Sequence, residues 1–356
     1  MNIINVLIVD DSAFMRKVLS DLLSSDPSIK VVGTARNGAD ALDKVPKLKP
    51  DVITLDVEMP IMDGLQTLKV IVDQYAIPVI MVSSVTKAGT TQTIEAMQSG
   101  AIDFISKPSG SISLDIHKVQ DELIQKVKVA SKVKIPKEFK ELPPTSPKPL
   151  VAKYLLDDKK KGESIRKKII TIGTSTGGPK ALVEVISKLP KDLNAPVVVV
   201  QHMPKGFTKS LAERLNKLSE LNVKEAVHGE IIHDGWVYVA PGGSHLKIEQ
   251  QKEELIVSLD DDTPPTRGHR PSVDEMYFSL SKLKEVEKIA VIMTGMGTDG
   301  TNGLLSLKND SRTIAIAESE ASCIVYGMPR SAIATRQVDD IVPVKEIASR
   351  IVHHLK

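Results

Sequence analysis

Residues 168–189 read KIITIGTSTGGPKALVEVISKL. The opening KIITIG is a short apolar run rich in β-branched residues, the composition of a buried strand. Pro179 suits the first position of a helix, and apolar residues then recur at helical spacing through 189. Between the two, Gly173, Gly177 and Gly178 allow a tight turn and close approach of another molecule to the backbone. Strand, glycine-rich turn and helix place Ser175 at the end of a strand. Three readings of that serine stand on local grounds: a nucleophile, part of an anion-binding turn, or a structural residue. G-T-S-T-G fits the loose G-x-S-x-G pattern of a nucleophile elbow. The stretch lacks the GKS or GKT ending of an ATP loop and the G-x-G-x-x-G of a dinucleotide fold.

Working outward, further strands are expected at 196–200, 236–240, 245–249, 255–259, 288–293 and 313–317, with helices at 179–189, 207–218, 273–284, 300–308 and 343–355. Helical crossovers at both ends and hairpin-like strands in the middle predict a mostly parallel mixed sheet with an antiparallel excursion. The first 125 residues alternate in the same way. Strands are expected at 5–9, 30–35, 52–55, 78–82 and 101–106, and helices at 13–25, 38–46, 65–74, 90–98 and 115–129. These strands are continuous apolar runs, which predicts a five-stranded parallel sheet covered on both faces. Between the two regions lysine and proline dominate and periodicity is lost, as in KVKIPKEFKELPPTSPKPL. The expected organisation is therefore α/β throughout: an N-terminal (βα)5 domain over 1–125, a Lys/Pro-rich linker over 126–166, and a C-terminal α/β domain over 167–356; the lysines of 130–168 are expected to be solvated.

Composition bounds the function. The 356 residues carry 47 basic and 45 acidic side chains, a net charge of +2. That balance argues against bulk electrostatic binding to nucleic acid or anionic lipid. A single cysteine, Cys323, excludes an intrachain disulfide and a cysteine-rich zinc site. The N-terminal MNIINVLIVDDSAF lacks the basic start of a signal peptide, and no stretch approaches 18 apolar residues. A cytoplasmic monomer with no inserted segment and no nucleic-acid partner is expected.

Asp10 and Asp11 follow the first strand, Asp56 follows the third, Ser83 ends the fourth and Lys107 follows the fifth. In an open parallel sheet the carboxyl ends of the strands share one edge, where ligands collect. Three carboxylates gathered there repel unless a hard cation such as Mg2+ neutralises them. One of them can then attack a phosphoryl group and form an acyl phosphate. Asp56, alone at its strand end, is the candidate nucleophile. Asp10 and Asp11 would hold the metal, Lys107 would pair with a phosphoryl oxygen, and Ser83 could donate a hydrogen bond to another. VLIVDDSAFMR, DVITLDVEMPIMDGL, PVIMVSS and AIDFISKP together resemble a bacterial response-regulator receiver domain. The resemblance implies phosphorylation of Asp56 by a partner histidine kinase and a metal site of Asp10, Asp11, Asp56 and the backbone carbonyl of Glu58. It also implies switch roles for Ser83, Phe104 and Lys107.

A nucleophilic serine needs a base, and the base needs an orienting group. VVVVQHMPKG places His202 just beyond the next strand, and IAVIMTGMGTDG places Asp299 in a glycine-rich loop beyond a later one. Parallel neighbours would bring Ser175, His202 and Asp299 to one sheet edge. The chain order Ser, His, Asp differs from the Ser, Asp, His of α/β-hydrolases. His228, His233, His245 and His269 form no compact metal motif, and structural or substrate-lip roles are expected for them. Ser272 is a candidate N-cap, and Cys323 is read as apolar filling.

IGTSTGGPKAL, VVQHMPKGF, GWVYVAPGGSHL, RPSVDEMYFSL, TGMGTDG and IAESEASCIVYGMPRSAI resemble the catalytic domain of chemotaxis protein-glutamate methylesterases. The resemblance implies Ser175 as nucleophile, His202 as base and Asp299 as its orienter. Thr176, Gly177, Gly178, Met296 and Gly297 would surround the pocket, with a backbone amide near Met296 at the oxyanion site. It further implies methyl-ester hydrolysis and glutamine deamidation on the cytoplasmic helices of methyl-accepting chemoreceptors. No cofactor is implied for hydrolysis; Mg2+ would serve the receiver only. Thr174 stands where the family pattern favours alanine, and the linker is longer than usual. A DNA-binding response regulator and a non-catalytic scaffold are the competing classes. The near-neutral charge and the absence of a helix-turn-helix pattern stand against the first.

Overall fold

The computed structural model describes residues 3–107, 114–133, 167–309 and 312–356. The N-terminal sheet is built from β1 (Ile4–Val9), β2 (Ile29–Ala35), β3 (Val52–Asp56), β4 (Val79–Ser83) and β5 (Asp103–Ser106). Its order is β2-β1-β3-β4-β5, and every pairing is parallel. Helices α1 (Ala13–Ser24), α2 (Gly38–Leu48), α3 (Gly64–Val70, continued by a π turn over Ile71–Tyr75), α4 (Lys87–Gln98) and α5 (Leu114–Ala130) cover both faces. Local chemistry starts them. Ser12, Asn37, Asp63 and Thr86 each accept a hydrogen bond from the first turn of α1 to α4 respectively.

The C-terminal sheet has seven strands: β6 (Lys168–Thr174), β7 (Val197–Gln201), β8 (Asn222–Glu225), β9 (Trp236–Val239), β12 (Glu287–Ile292), β13 (Thr313–Glu318) and β14 (Asp340–Val342). Their order is β14-β13-β12-β6-β7-β9-β8, parallel throughout. The antiparallel excursion, β10 (His245–Gln251) with β11 (Glu254–Asp260), stands apart as a two-stranded sheet. Helices α6 (Gly178–Ile186), α7 (Phe207–Leu218) and α11 (Val344–Leu355) pack on one face, with Ile170 and Ile172 beneath them. α8 (Val273–Ser281) and α9 (Thr301–Lys308) lie on the other, against Ile169, Ala290 and Ile292. Both cores are mainly aliphatic, with Phe207, Tyr238 and Tyr277 the large aromatics buried in this unit.

Three elements have no counterpart in the sequence reading: β8, β14 and α10 (Met328–Ala334). The two strands are short and partly polar, and α10 begins with a proline in its first turn. Such pieces carry too few periods to register in a sequence pattern. The division at residue 125 falls inside α5, which runs on to Ala130. Lys126, within the helix expected over 115–129, is 14% exposed and ion-paired to Asp103 and Glu122. The rest of the expected linker, 134–166, lies outside the described residues.

The two units share an apolar core. Phe104 of β5 lies with its ring centroid 4.5 Å from that of Phe207 at the start of α7. Thr90 of α4 shares a 2.8 Å hydrogen bond with Ser210 of α7. Arg214 Nε donates to Gln98 Oε1 at 3.0 Å. The α4–β5–α5 side of the N-terminal unit thus sits on the face that carries Ser175.

Candidate active site and phosphoacceptor site

Strand order decides where the chemistry gathers. β6 runs on to β7 on one side, whereas β12 pairs with β6 from the other and leads away to β13. The reversal creates a crevice at the carboxyl ends of β6, β7 and β12, where open α/β sheets bind ligands. Ser175 follows β6, His202 follows β7, and Asp299 lies in the loop after β12. Thr174 pairs with Gln201 in register, so Ser175 and His202 leave the sheet side by side.

Asp299 is 2% exposed and saturated with donors. Its Oδ2 accepts from His202 Nε2 at 2.7 Å and from Val273 N at 2.7 Å. Its Oδ1 accepts from Ser272 Oγ at 2.8 Å, Asp274 N at 3.0 Å and Gly300 N at 3.0 Å. Burial pushes the carboxyl up, but the His202 hydrogen bond and charge and the amides of Val273 and Asp274 outweigh it. The group is held well below the usual carboxylate range. The start of α8 adds the favourable end of a helix dipole. Ser272 is the N-cap of α8, accepting from Glu275 N at 3.4 Å, and its hydroxyl also orients Asp299.

With Nε2 facing a carboxylate, His202 carries its proton there. Nδ1 is buried without a hydrogen-bond partner, leaving its lone pair available. The structure thus joins His202 to Asp299, and among the described residues no hydrogen bond joins Ser175 Oγ to His202. The Ser175 loop is fixed through its backbone. Thr294 O accepts from Ser175 N at 3.0 Å and from Thr174 Oγ1 at 2.8 Å. Thr294 Oγ1 donates to Thr176 O at 3.0 Å. Gln201 Nε2 donates to the carbonyls of Ser175 at 3.0 Å and His202 at 3.1 Å. The Thr174 hydroxyl is thus bonded inside the loop.

The glycines near Ser175 are sterically required. A Cβ on Gly178 would stand 2.0 Å from Gln201 Oε1, and one on Gly295 would stand 2.8 Å from Ser175 Cβ. Gly177 adopts φ +79°, the left-handed region open to glycine. Gly297, at φ +86°, and Met296 lie in the same 293–300 loop beside Gly327.

Several site residues escaped the sequence reading. Gln201 lies in VVQHMPKGF and Thr294 begins TGMGTDG, but neither has a chemistry that singles it out. Glu318, 1% exposed, accepts from Thr294 N at 2.8 Å. Burial raises the Glu318 carboxyl above its ordinary value. Two of the other histidines are bonded within the fold. His228 Nδ1 accepts from Leu259 N at 3.0 Å, and His245 Nε2 contacts Pro264 O at 3.1 Å. Burial pushes the Cys323 thiol far up, away from nucleophilic character.

At the other sheet, Asp10, Asp11 and Asp56 bring one carboxylate oxygen each within 4.8 Å of one another. Asp10 and Asp56 are buried and Asp11 is exposed. Lys107 Nζ reaches Asp56 Oδ2 at 2.7 Å and Asp10 Oδ2 at 3.1 Å. Burial raises Asp56 to about 6, and Asp10 adds to the rise against the pull of Lys107. An oxygen-only set of three carboxylates suits a hard divalent cation. Ser83 points away, its hydroxyl donating to Gly89 O and Ser84 O at 3.2 Å each. Phe104 is 3% exposed, against Phe207. Glu58 N lies 3.4 Å from Asp56 Oδ1.

The fold and the two sites define a receiver domain joined to an α/β domain that sets a serine beside a His–Asp pair. Residues 6–117 match the response regulator receiver domain family, and residues 170–351 match the CheB methylesterase family. The chain belongs to the CheB methylesterase family. It is 50% identical over its whole length to a protein-glutamate methylesterase/protein-glutamine glutaminase of Oceanobacillus iheyensis, all of which is covered. It is 54% identical, over 99% of both chains, to the protein of the same description from Halalkalibacterium halodurans. A crystal structure of the Thermotoga maritima CheB methylesterase catalytic domain matches with 43% identity and a TM-score of 0.51. That match covers 53% of this chain and 99% of the other.

Proposed function

We propose that Ser175, His202 and Asp299 carry the hydrolysis in this phosphorylation-regulated protein-glutamate methylesterase and protein-glutamine glutaminase. The observation that carries the assignment is the His202–Asp299 pair at 2.7 Å, set at the strand end beside Ser175. His202 Nδ1 removes the Ser175 proton as Oγ attacks the ester carbonyl of a glutamyl methyl ester. Asp299 holds the imidazole in the tautomer with Nε2 protonated and steadies the imidazolium. Backbone amides in the 293–300 loop, at Met296 and Gly297, offer donors to the tetrahedral oxyanion. His202 returns the proton to leaving methanol, and water cleaves the acyl-enzyme by the same route reversed. Glutamine is deamidated through the same acyl-enzyme, with ammonia as the leaving group.

Asp56 is the phosphoacceptor in this reading, with a histidine kinase as donor and methyl-accepting chemoreceptors as substrate on the cytoplasmic side of the membrane. No described helix is long and apolar enough to cross a membrane. Asp10, Asp11 and Asp56, with the Glu58 carbonyl, would hold Mg2+. When bound, that ion offsets the charge of the incoming phosphoryl oxygens. Lys107 is placed to pair with one such oxygen, and Ser83 and Phe104 to respond by turning. In this reading α4, β5 and α5 of the receiver lie over the crevice. The contact between Thr176 Oγ1, next to Ser175, and Asp103 Oδ2 supports occlusion of the site by the unphosphorylated receiver. Release on phosphorylation is then a shift of population and needs no new catalytic group.

The test is methanol release from methylated receptor membranes with phosphodonor and Mg2+. Ser175→Ala, which deletes one hydroxyl, abolishes turnover while thermal unfolding stays close to the parent. Sustained methanol release by the folded variant would overturn the assignment.

A further inference from the structure

His269 has no part in the mechanism above, yet its ring lies on the base. The His202 and His269 centroids are 3.9 Å apart with the planes 9° from parallel. The turn that presents His269 is tightly made. Thr266 N donates to His269 O at 3.0 Å and His269 N to Thr266 O at 2.9 Å. Its central residues, Arg267 and Gly268, have φ of +52° and +84°, as in a type I′ turn. The turn is tied to α8 by Thr266 Oγ1 donating to Glu275 Oε1 at 3.0 Å and by Arg267 Nε at 3.5 Å from Asp274 Oδ2. The start of α8 also holds Asp299. One helix end therefore supports the imidazole twice: at its edge through Asp299 and across its face through His269.

We propose that His269 is a positioning residue that fixes the plane of His202 and stabilises its protonated form through the face of a neutral ring. The inference rests on the reading of His202 as the base. Asp299 grips one nitrogen and leaves the ring free to rock about that bond; a flat neighbour at 3.9 Å removes that freedom. During ester attack His202 becomes a cation, and a cation over a π face is favoured. The neighbour must stay uncharged for this to hold. The charged groups that face His269 are His202 on its face, Asp299 beyond it, and Lys126 and Asp103 from the receiver. Burial lowers His269 to about 4, and His202 adds to the fall. It is therefore neutral near neutral pH.

The experiment compares His269→Ala, His269→Phe and His269→Arg in the full-length protein, using methanol release from methylated receptor membranes with phosphodonor. His269→Ala is expected to lose roughly five- to tenfold in kcat, with KM changed by less than about twofold. His269→Phe, which keeps a flat uncharged face, recovers most of that loss. His269→Arg keeps a planar group but adds a permanent charge, and moves the acid limb of kcat/KM down by about one pH unit or more. Because the neutral face stabilises the His202 cation, His269→Ala moves the limb down as well and His269→Phe restores it, whereas at a merely structural position neither would move it. Equal kcat for the alanine and phenylalanine variants, or a loss carried wholly by KM, overturns the inference. If the arginine variant unfolds, the alanine–phenylalanine comparison decides. His202→Ala is run in parallel. Activity surviving in it would overturn the base assignment itself, whereas an inactive His202→Ala beside a flat His269 series overturns only this inference.

Discussion

Asp299→Asn tests the site most sharply, because five donors converge on the two carboxylate oxygens. An asparagine offers one acceptor oxygen and one NH2 group. If the NH2 faces the Oδ1 side, it meets the Ser272 hydroxyl and the amides of Asp274 and Gly300. Only the hydroxyl can turn to accept. If it faces the Oδ2 side, it meets His202 Nε2 and the Val273 amide, and His202 can adapt by moving its proton to Nδ1. The second orientation wins. It fills the nitrogen that should receive the Ser175 proton, so the ring sits in place in the wrong tautomer. A serine-protease triad altered in this way loses about 10,000-fold in kcat, or about 5.5 kcal/mol of transition-state stabilisation. The same scale is expected here. The Val273 amide is left opposed to a donor, at a cost of about 1–3 kcal/mol in folding stability. The variant also changes the acid behaviour. The Asp299 carboxyl is held below its ordinary value, so its contribution is present above the unfolded pKa and lost as pH falls through the folded one. That acid-labile portion is missing from the variant. Methanol release gives kcat, urea unfolding gives stability, and a serine-directed phosphonate reports the reactivity of Ser175. A folded Asp299→Asn protein retaining more than about one tenth of parental kcat would refute the tautomer argument.

Two further predictions concern the receiver. Burial raises Asp56 from 3.8 to about 6, so between those values the folded protein binds more protons than the unfolded chain. The contribution of this group therefore declines as pH rises through that window. Without divalent cation, Asp56→Asn should be about 2 kcal/mol more stable than the parent near neutral pH, with the gap closing towards about pH 4. Equal urea midpoints near neutral pH would count against it. Asp103→Ala removes the acceptor of Thr176 and one partner of buried Lys126. It should raise the unphosphorylated activity of the full-length enzyme roughly three- to tenfold and shrink stimulation by phosphodonor. Unchanged basal activity and unchanged stimulation would point instead to a receiver that recruits substrate.

Much of this was legible in the sequence, for a physical reason. A buried parallel strand is a continuous apolar run, so the strand ends, and Asp10, Asp56, Ser175 and His202 at them, can be read off the chain. Glycines that admit no Cβ, such as Gly178, mark the turns. These local constraints set the α/β class and the candidate chemistry. They do not set which strand lies beside which. Only the tertiary structure places β12 next to β6, more than a hundred residues away along the chain, and so brings Asp299 to His202. The supporting residues were hidden for the same reason. Thr294, Gln201 and His269 act through contacts that no spacing encodes, as does Ser272 in its bond to Asp299, although its N-cap role was legible; α5 runs past residue 125 as its helical pattern to 129 indicates, and Lys126 on it pairs with Asp103 across the fold. The sequence by itself determined the elements and the reactive groups, because periodicity and steric exclusion act between near neighbours in the chain. Strand order, the tautomer of His202 and the seating of Phe104 on Phe207 were decided by packing between distant segments, which exists only once the chain has folded.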